Sequence, residues 1–148
     1  MARAANMSED QRLAVGLVGE IAARAWLLRR YRDVRWRSGY AAIVNGEGEA
    51  SDSHGYDFEV PWSNTSLLFE VKSPSDRARN LTEFEMGESE VRAAQACANG
   101  NRYRILLITS VLDQDDRRVY ELPSPFSPKG RGRFRVTGRG LRYQFSPL

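Results

Sequence analysis

Residues 55–73 read GYDFEVPWSNTSLLFEVKS, and the fold turns on how this stretch is paired. Two runs of strand-forming residues, Tyr56 to Trp62 and Leu67 to Ser73, flank Ser63-Asn64-Thr65-Ser66, a polar connection of hairpin length. Pro61 cannot donate to a ladder, so it belongs near an edge or at the end of its strand. Side chains alternate along a strand, which puts Glu70 and Lys72 on one face with Leu68 and leaves Phe69 and Val71 on the other. If the two runs pair as a hairpin, Asp57 comes to lie beside Glu70 and Lys72. Two carboxylates about 4 Å apart repel by roughly 1 kcal/mol in water and about 4 kcal/mol at an effective dielectric of about 20, so their convergence requires compensation. Lys72 supplies part of it, and a divalent cation can supply the rest. One or two carboxylates, completed by water and phosphate oxygens, are the ligands that Mg²⁺ prefers. Such an ion would polarise a phosphodiester, while Lys72 would orient the attacking water or stabilise charge developing on phosphorus. A Glu-x-Lys in a strand is by itself more often a solvent-facing ion pair. The assignment therefore rests on the combination with Asp57, thirteen residues before Glu70.

Working outward, Ser8-Glu9-Asp10-Gln11 has the form of a capping box. Ala14, Leu17, Val18, Ile21, Ala25 and Leu28 then recur at helical spacing, which predicts an amphipathic helix ending near Tyr31 with those residues facing the core. Val34 to Ser38 alternates apolar and basic as a half-buried strand would. The stretch from Gly39 to Gly55 is too long for an ordinary connection and reads as a mobile or functional loop. Residues 74–86 read as loop, and Glu88 to Ala98 as a second helix stopped by Asn99-Gly100. Tyr103 to Val111 is continuously apolar, as expected of a strand covered on both faces, and Val119 to Leu122 can add a short strand. After the Pro- and Gly-rich LPSPFSPKGRG, residues 133–145 predict a terminal hairpin. In it Phe134, Val136, Leu141, Tyr143 and Phe145 share one face, while Arg133, Arg135, Arg142 and Gln144 share the other. That basic face can meet phosphates or simply protect an exposed edge. The order helix, three strands, helix, strand implies an α/β fold with a mixed sheet flanked by helices and a small C-terminal β-hairpin.

The chain has 148 residues, of which 41% are hydrophobic and 28% charged, the profile of one ordinary globular domain. The whole chain, 1–148, is read as that domain, with a core over about 8–122 and the basic hairpin over about 130–148. No apolar run is long enough to span a bilayer, and MARAANMSEDQ lacks the apolar core of a signal peptide, so a cytoplasmic protein is expected. Cys97 is the only cysteine and His54 the only histidine, which excludes an internal disulfide and a Cys/His zinc site, so a metal must be held by oxygen. Neither a Gly-x-Ser-x-Gly elbow nor a Gly-x-x-x-x-Gly-Lys phosphate loop is present. The net charge of +3 is unevenly spread: residues 47–90 carry eleven acids against three bases, a balance of −8, which leaves +11 for the remainder. An acidic centre with basic flanks suits a polyanion held by the flanks and a cation held in the middle, although a solvated surface of mixed sign has the same composition.

Asp57 with Glu70-Val71-Lys72 resembles the motif of the PD-(D/E)xK, or restriction-endonuclease-like, nuclease superfamily. More narrowly, Gly16-Leu17-Val18-Gly19-Glu20-Ile21-Ala22, Gly55-Tyr56-Asp57, Phe69-Glu70-Val71-Lys72-Ser73 and Phe84 to Ala94 with Glu90 are similar to the NO VEIN C-terminal domain family. The similarity covers roughly residues 8–112. Tyr56 stands where the superfamily has Pro, and Asn99, four after Gln95, means that no Gln-x-x-x-Tyr motif follows. The resemblance implies a restriction-endonuclease-like α-β-β-β-α-β core and a Mg²⁺- or Mn²⁺-dependent nuclease acting on nucleic acid, with DNA favoured. It implies Asp57 and Glu70 as metal ligands, Lys72 as the catalytic lysine, and Glu20 completing the metal site from the first helix. Glu20 can equally pair with Arg24 one turn on. Arg133, Arg135 and Arg142 are the candidates to hold the nucleic-acid backbone. Glu90 faces either the site or only its own helix dipole, and His54 either the substrate or solvent. Members of the family often end large ATPase-containing proteins, some in bacterial antiphage defence, so a module of a larger protein or a homodimer is in view. The alternative is an inactive nucleic-acid- or protein-binding module. Cys97 and the three tryptophans read as packing residues.

Overall fold

A computed structural model describes residues 8–41, 54–74, 83–97, 102–131, 134–138 and 140–144, the side chains of Glu83, Thr137 and Gln144 excepted. Helix α1 spans Glu9–Leu28, and its capping box is formed: Ser8 Oγ accepts from the Gln11 N–H at 3.1 Å while Gln11 Oε1 accepts from the Ser8 N–H at 2.8 Å. Strands β1 (Arg35–Trp36), β2 (Phe58–Trp62) and β3 (Thr65–Lys72) follow. Next come β4 (Glu83–Met86), α2 (Glu88–Ala96), β5 (Tyr103–Thr109), β6 (Arg118–Pro123), β7 (Phe134–Thr137) and β8 (Gly140–Gln144). Five strands form a mixed sheet in the order β1-β2-β3-β5-β6, and three form a second sheet in the order β4-β8-β7. The fold class is therefore α/β with a mixed central sheet.

The hairpin of the opening stretch is present. β2 and β3 pair antiparallel, Phe58 opposite Phe69 and Trp62 opposite Thr65, so the turn is the two residues Ser63-Asn64 rather than four, with Ser63 at φ 57. β3 then runs parallel to β5, Glu70 opposite Ile105 and Lys72 opposite Leu107. A parallel pair needs a crossover, and here the intervening chain contains β4 and α2. β5 is covered on both faces, as its composition predicts. Leu106 and Ile108 join the core beneath α1, whereas Tyr103, Ile105 and Leu107 join a second core with Ala94 and Cys97 of the α2 region and Leu141 and Tyr143 of β8. The strand expected over 34–38 is confined to Arg35–Trp36. Among the described residues no helix is long and apolar enough to cross a membrane.

Two expectations are corrected. α1 buries Val15, Gly19, Glu20, Ala23 and Leu27, not the stripe expected from periodicity, and Ile21 and Leu28 are 47% and 43% exposed. Close approach explains the choice. A Cβ on Gly19 would collide with Ser73 at the end of β3, and one on Gly16 would lie 2.5 Å from the Tyr40 hydroxyl. The helix thus seats on the sheet the face that carries Gly19 and Ala23, where a larger side chain at Gly19 would meet Ser73, and leaves Ile21 and Leu28 outside. The second correction is β4, which lies in a stretch read as loop. Its Phe84 and Met86 are buried and Glu85 is exposed, and it pairs with β8, Phe84 opposite Tyr143 and Met86 opposite Leu141. Four alternating residues make a weak signal when the partner strand lies more than fifty positions downstream.

The C-terminal hairpin also forms, Phe134 opposite Tyr143 and Val136 opposite Leu141. Leu141 and Tyr143 are buried against α2 and β5, while Val136 is 74% exposed. The hairpin is consequently part of the second core rather than an appendage. Arg133 and Phe145 lie outside the described residues, as does most of the loop read over 39–55.

Candidate active site

Asp57 stands at the entry to β2, and its backbone is fixed on both sides. Its N–H donates to the Phe69 carbonyl at 2.8 Å, and its own carbonyl accepts from the Arg37 N–H at 2.7 Å. Its side chain crosses to β3, where Oδ2 accepts from the Val71 N–H at 2.8 Å. Gly55 lets the turn before Asp57 sit against α2. It holds φ +80, and a Cβ there would strike the Ser89 carbonyl in the first turn of α2, so a larger residue would strain the backbone and separate the Asp57 strand from the helix.

Glu70 and Lys72 project from β3 on the α2 side of the sheet, opposite to Phe69 and Val71, which join the α1 core. Glu70 is 6% exposed. Lys72 Nζ lies 3.5 Å from Glu70 Oε2 and donates to Glu90 Oε1 at 2.5 Å. Glu90 thus does both things its sequence position allowed. Oε1 also accepts from the Gly87 N–H at 3.3 Å, capping α2, while reaching across to the lysine.

Three carboxylates surround one ammonium in a buried setting, and burial is the largest influence on the ionisation of Asp57, Glu70 and Lys72. Burial, with Glu90 adding, raises Asp57 from 3.8 to about 6 despite the Val71 N–H and Lys72, which favour its ionised form. Burial and the neighbouring Asp57 push Glu70 well above the usual carboxylate range. Burial alone would lower Lys72, but Glu70, Glu90 and Asp57 more than offset it and hold the ammonium charged. Asp57 and Glu70 are thus both held toward their protonated forms, chiefly by burial and secondarily by neighbouring carboxylate charge.

Tyr103 belongs to this cluster, although in the sequence it is one more residue of an apolar strand. Its hydroxyl donates to the Gly55 carbonyl at 2.8 Å, tying β5 to the turn before Asp57. Burial first, then Glu70, Glu90 and Asp57, push the phenol well above its ordinary range. Arg37 is a second residue that sequence reasoning misses. Its guanidinium pairs with Glu59 at 3.2 Å, and its charge acts on Tyr56, the residue before Asp57. The one available signal is the basic alternation around Trp36.

Other candidates lie elsewhere. Glu20 is buried, and its Oε1 accepts from Trp36 Nε1 at 2.7 Å and Ser38 Oγ at 2.5 Å, within the layer between α1 and β1. The structure does not bring it together with Asp57 and Glu70: among the described residues no group of three or more His, Cys, Asp or Glu is arranged to hold a metal ion. His54 packs its ring on Tyr56, centroids 5.6 Å apart. Arg135 and Arg142 face one another across β7 and β8, with Glu85 opposite Arg142 on the other side, so that face carries both signs. Cys97 is buried, in keeping with a packing role. Known protein families, characterised proteins and solved structures offer no match to this chain.

Proposed function

We propose that the protein is a metal-dependent nuclease of the PD-(D/E)xK type that hydrolyses phosphodiester bonds in DNA. The observation that carries this reading is the convergence of Asp57, Glu70 and Lys72 on one face of the β2–β3 hairpin, with Asp57 locked to the Val71 N–H. The donor set suits Mg²⁺ or Mn²⁺ in kind, since both carboxylates are hard oxygen ligands and burial, which raises their pKa values, is a cost that a bound cation would offset. Two protein ligands are fewer than a closed site would have, so waters and substrate phosphate oxygens complete the coordination in this reading. When bound, such an ion polarises the scissile phosphate. Lys72, kept charged, positions the attacking water and stabilises the charge that develops on phosphorus. Arg37 at the neighbouring sheet edge, with Arg135 and Arg142 farther along the chain, binds backbone phosphates.

The test is cleavage of duplex, single-stranded and structured DNA and RNA with Mg²⁺ or Mn²⁺. The wild type should cut, and Asp57→Asn and Lys72→Ala should reduce the rate by a factor of about a hundred or more. Activity in Lys72→Ala equal to that of the wild type on every substrate would remove the lysine from the chemistry.

One observation favours a second reading, a nucleic-acid-binding module that does not cleave: Glu90 engages Lys72 more closely than Glu70 does. In that case salt-dependent binding survives Asp57→Ala and Glu70→Ala, and no substrate is cut by the wild type.

A further inference from the structure

Part of the apolar face of α1 that the periodicity predicts to be buried is turned outward instead, while Leu17 and Val18 of that face pack on the core. Leu13, Ile21 and Leu28 are 53%, 47% and 43% exposed. Leu17 lies between them, only partly covered by the core beneath. Asp10 and Arg24 flank the Leu13, Leu17 and Ile21 section of the stripe, with Leu28 one turn beyond Arg24, and at about 100° per residue all of Asp10, Leu13, Leu17, Ile21 and Arg24 fall within an arc of about 80°. Asp10, Ala14, Leu17, Ile21, Arg24 and Leu28 follow one another at alternating intervals of four and three, the spacing of a helix seam made to receive another helix.

The order along the stripe identifies the occupant. Leu17 is the midpoint of the section from Asp10 to Arg24: Leu13 and Ile21 lie four residues to either side, and Asp10 and Arg24 seven residues to either side. Reversed, the pattern acid, apolar, apolar, apolar, base becomes its own complement. An antiparallel copy crossing at Leu17 sets Leu13 against Ile21 and Asp10 against Arg24, twice each, about 10 Å from the axis. It also opposes the two helix dipoles and brings the acidic first turn, Glu9 and Asp10, toward the basic Arg29 that caps the other end. We infer that the outer face of α1 is a homodimer interface, in which two copies of this chain pack antiparallel about a two-fold axis at Leu17. Trp62, 53% exposed, lies edge-on to Tyr31 at 6.0 Å just past the C-terminal end of the helix. A helix about 30 Å long offers a narrow stripe, at the low end of the interface size classes, so the dimer forms in a concentration-dependent way.

Sedimentation velocity on the full chain, from about 1 µM to about 200 µM, spans the range in which an interface of that size should shift from monomer to dimer. Ile21→Glu, at an exposed position, should weaken association at least about tenfold with an unchanged far-ultraviolet circular dichroism spectrum. The decisive measurement is a mixture. Asp10→Arg alone places a second base opposite Arg24, and Arg24→Glu alone places a second acid opposite Asp10, so each variant should self-associate about tenfold more weakly. Mixed in equal amounts, the two variants pair with complementary charges at both ends and recover association. A monomer at every concentration overturns the inference, as does a dimer indifferent to Ile21→Glu or a mixture no tighter than its components. As a second measurement, Leu17→Cys should give a disulfide-linked dimer under mild oxidation. A cross-linking yield no higher than that of the wild type, whose Cys97 is buried, tells against a crossing at Leu17.

Discussion

Replacing Asp57 by Asn should stabilise the metal-free protein at neutral and alkaline pH. The folded carboxyl titrates near 6 against an ordinary value of 3.8. At about 1.36 kcal/mol per pK unit, its ionisation at high pH costs the folded state about 3 kcal/mol. The folded pKa lies above the unfolded one, so the folded state binds the proton more tightly. The stability linked to that proton is fully present below about pH 4 and is lost as the pH rises through about 6. Asn keeps an oxygen to accept the Val71 N–H and gains an amide that can donate to Glu70, while the charge that cannot be solvated is gone. Urea unfolding in a chelating buffer at about pH 4, 6 and 8 should therefore show Asp57→Asn near wild type at the lowest pH and up to about 3 kcal/mol more stable at the highest. That gain corresponds to a rise in Tm of roughly 6–12 °C for a chain of this length. If the site takes Mg²⁺ as proposed, the ion should stabilise the wild type, by about 2.7 kcal/mol at a hundred times Kd, and leave the variant unmoved. A gap that does not change with pH, or a variant less stable at the alkaline end, would refute the reasoning.

Glu90→Gln should lower the Lys72 pKa, because the closest partner holding the ammonium charged is lost, a shift that heteronuclear NMR titration of the lysine can follow. Gly55→Ala should cost more than about 1 kcal/mol in denaturant unfolding, since φ +80 and the Ser89 carbonyl both oppose a methyl group there. Trp36→Phe removes one of the donors to the buried Glu20 carboxylate and should destabilise by about 1–3 kcal/mol in the same assay. A neutral Trp36→Phe substitution would mean that Ser38 and the surrounding layer satisfy Glu20 without it.

Local pattern carried most of the candidate site. The alternation of Leu68, Glu70 and Lys72 against Phe69 and Val71 is a property of any strand, so the face of each charge can be assigned before its neighbours are known. The capping box at Ser8 and the two-sided burial of β5 are legible for the same reason, since each depends on residues a few positions apart. The placement of Glu20 is not legible. Its position on α1 is compatible with either side of the helix, and its partners, Trp36 and Ser38, are brought to it by the sheet edge. Tyr103 escapes notice because an apolar strand hides one polar atom that matters only when Gly55 is folded against it.

From the order of residues alone follow which side chains share a strand face, where α1 begins, and that acid and ammonium meet on one side of a hairpin. Packing in three dimensions was needed to choose which stripe of α1 meets the sheet, to make Glu83–Met86 a strand, and to bring Glu90 from a separate helix onto Lys72. The physical difference is range. Side-chain periodicity is set by backbone geometry within a few residues, whereas helix seating depends on which distant groups the helix must pack against. At Gly19 the Ser73 side chain leaves no room for a Cβ, a long-range constraint that the periodicity of α1 does not contain.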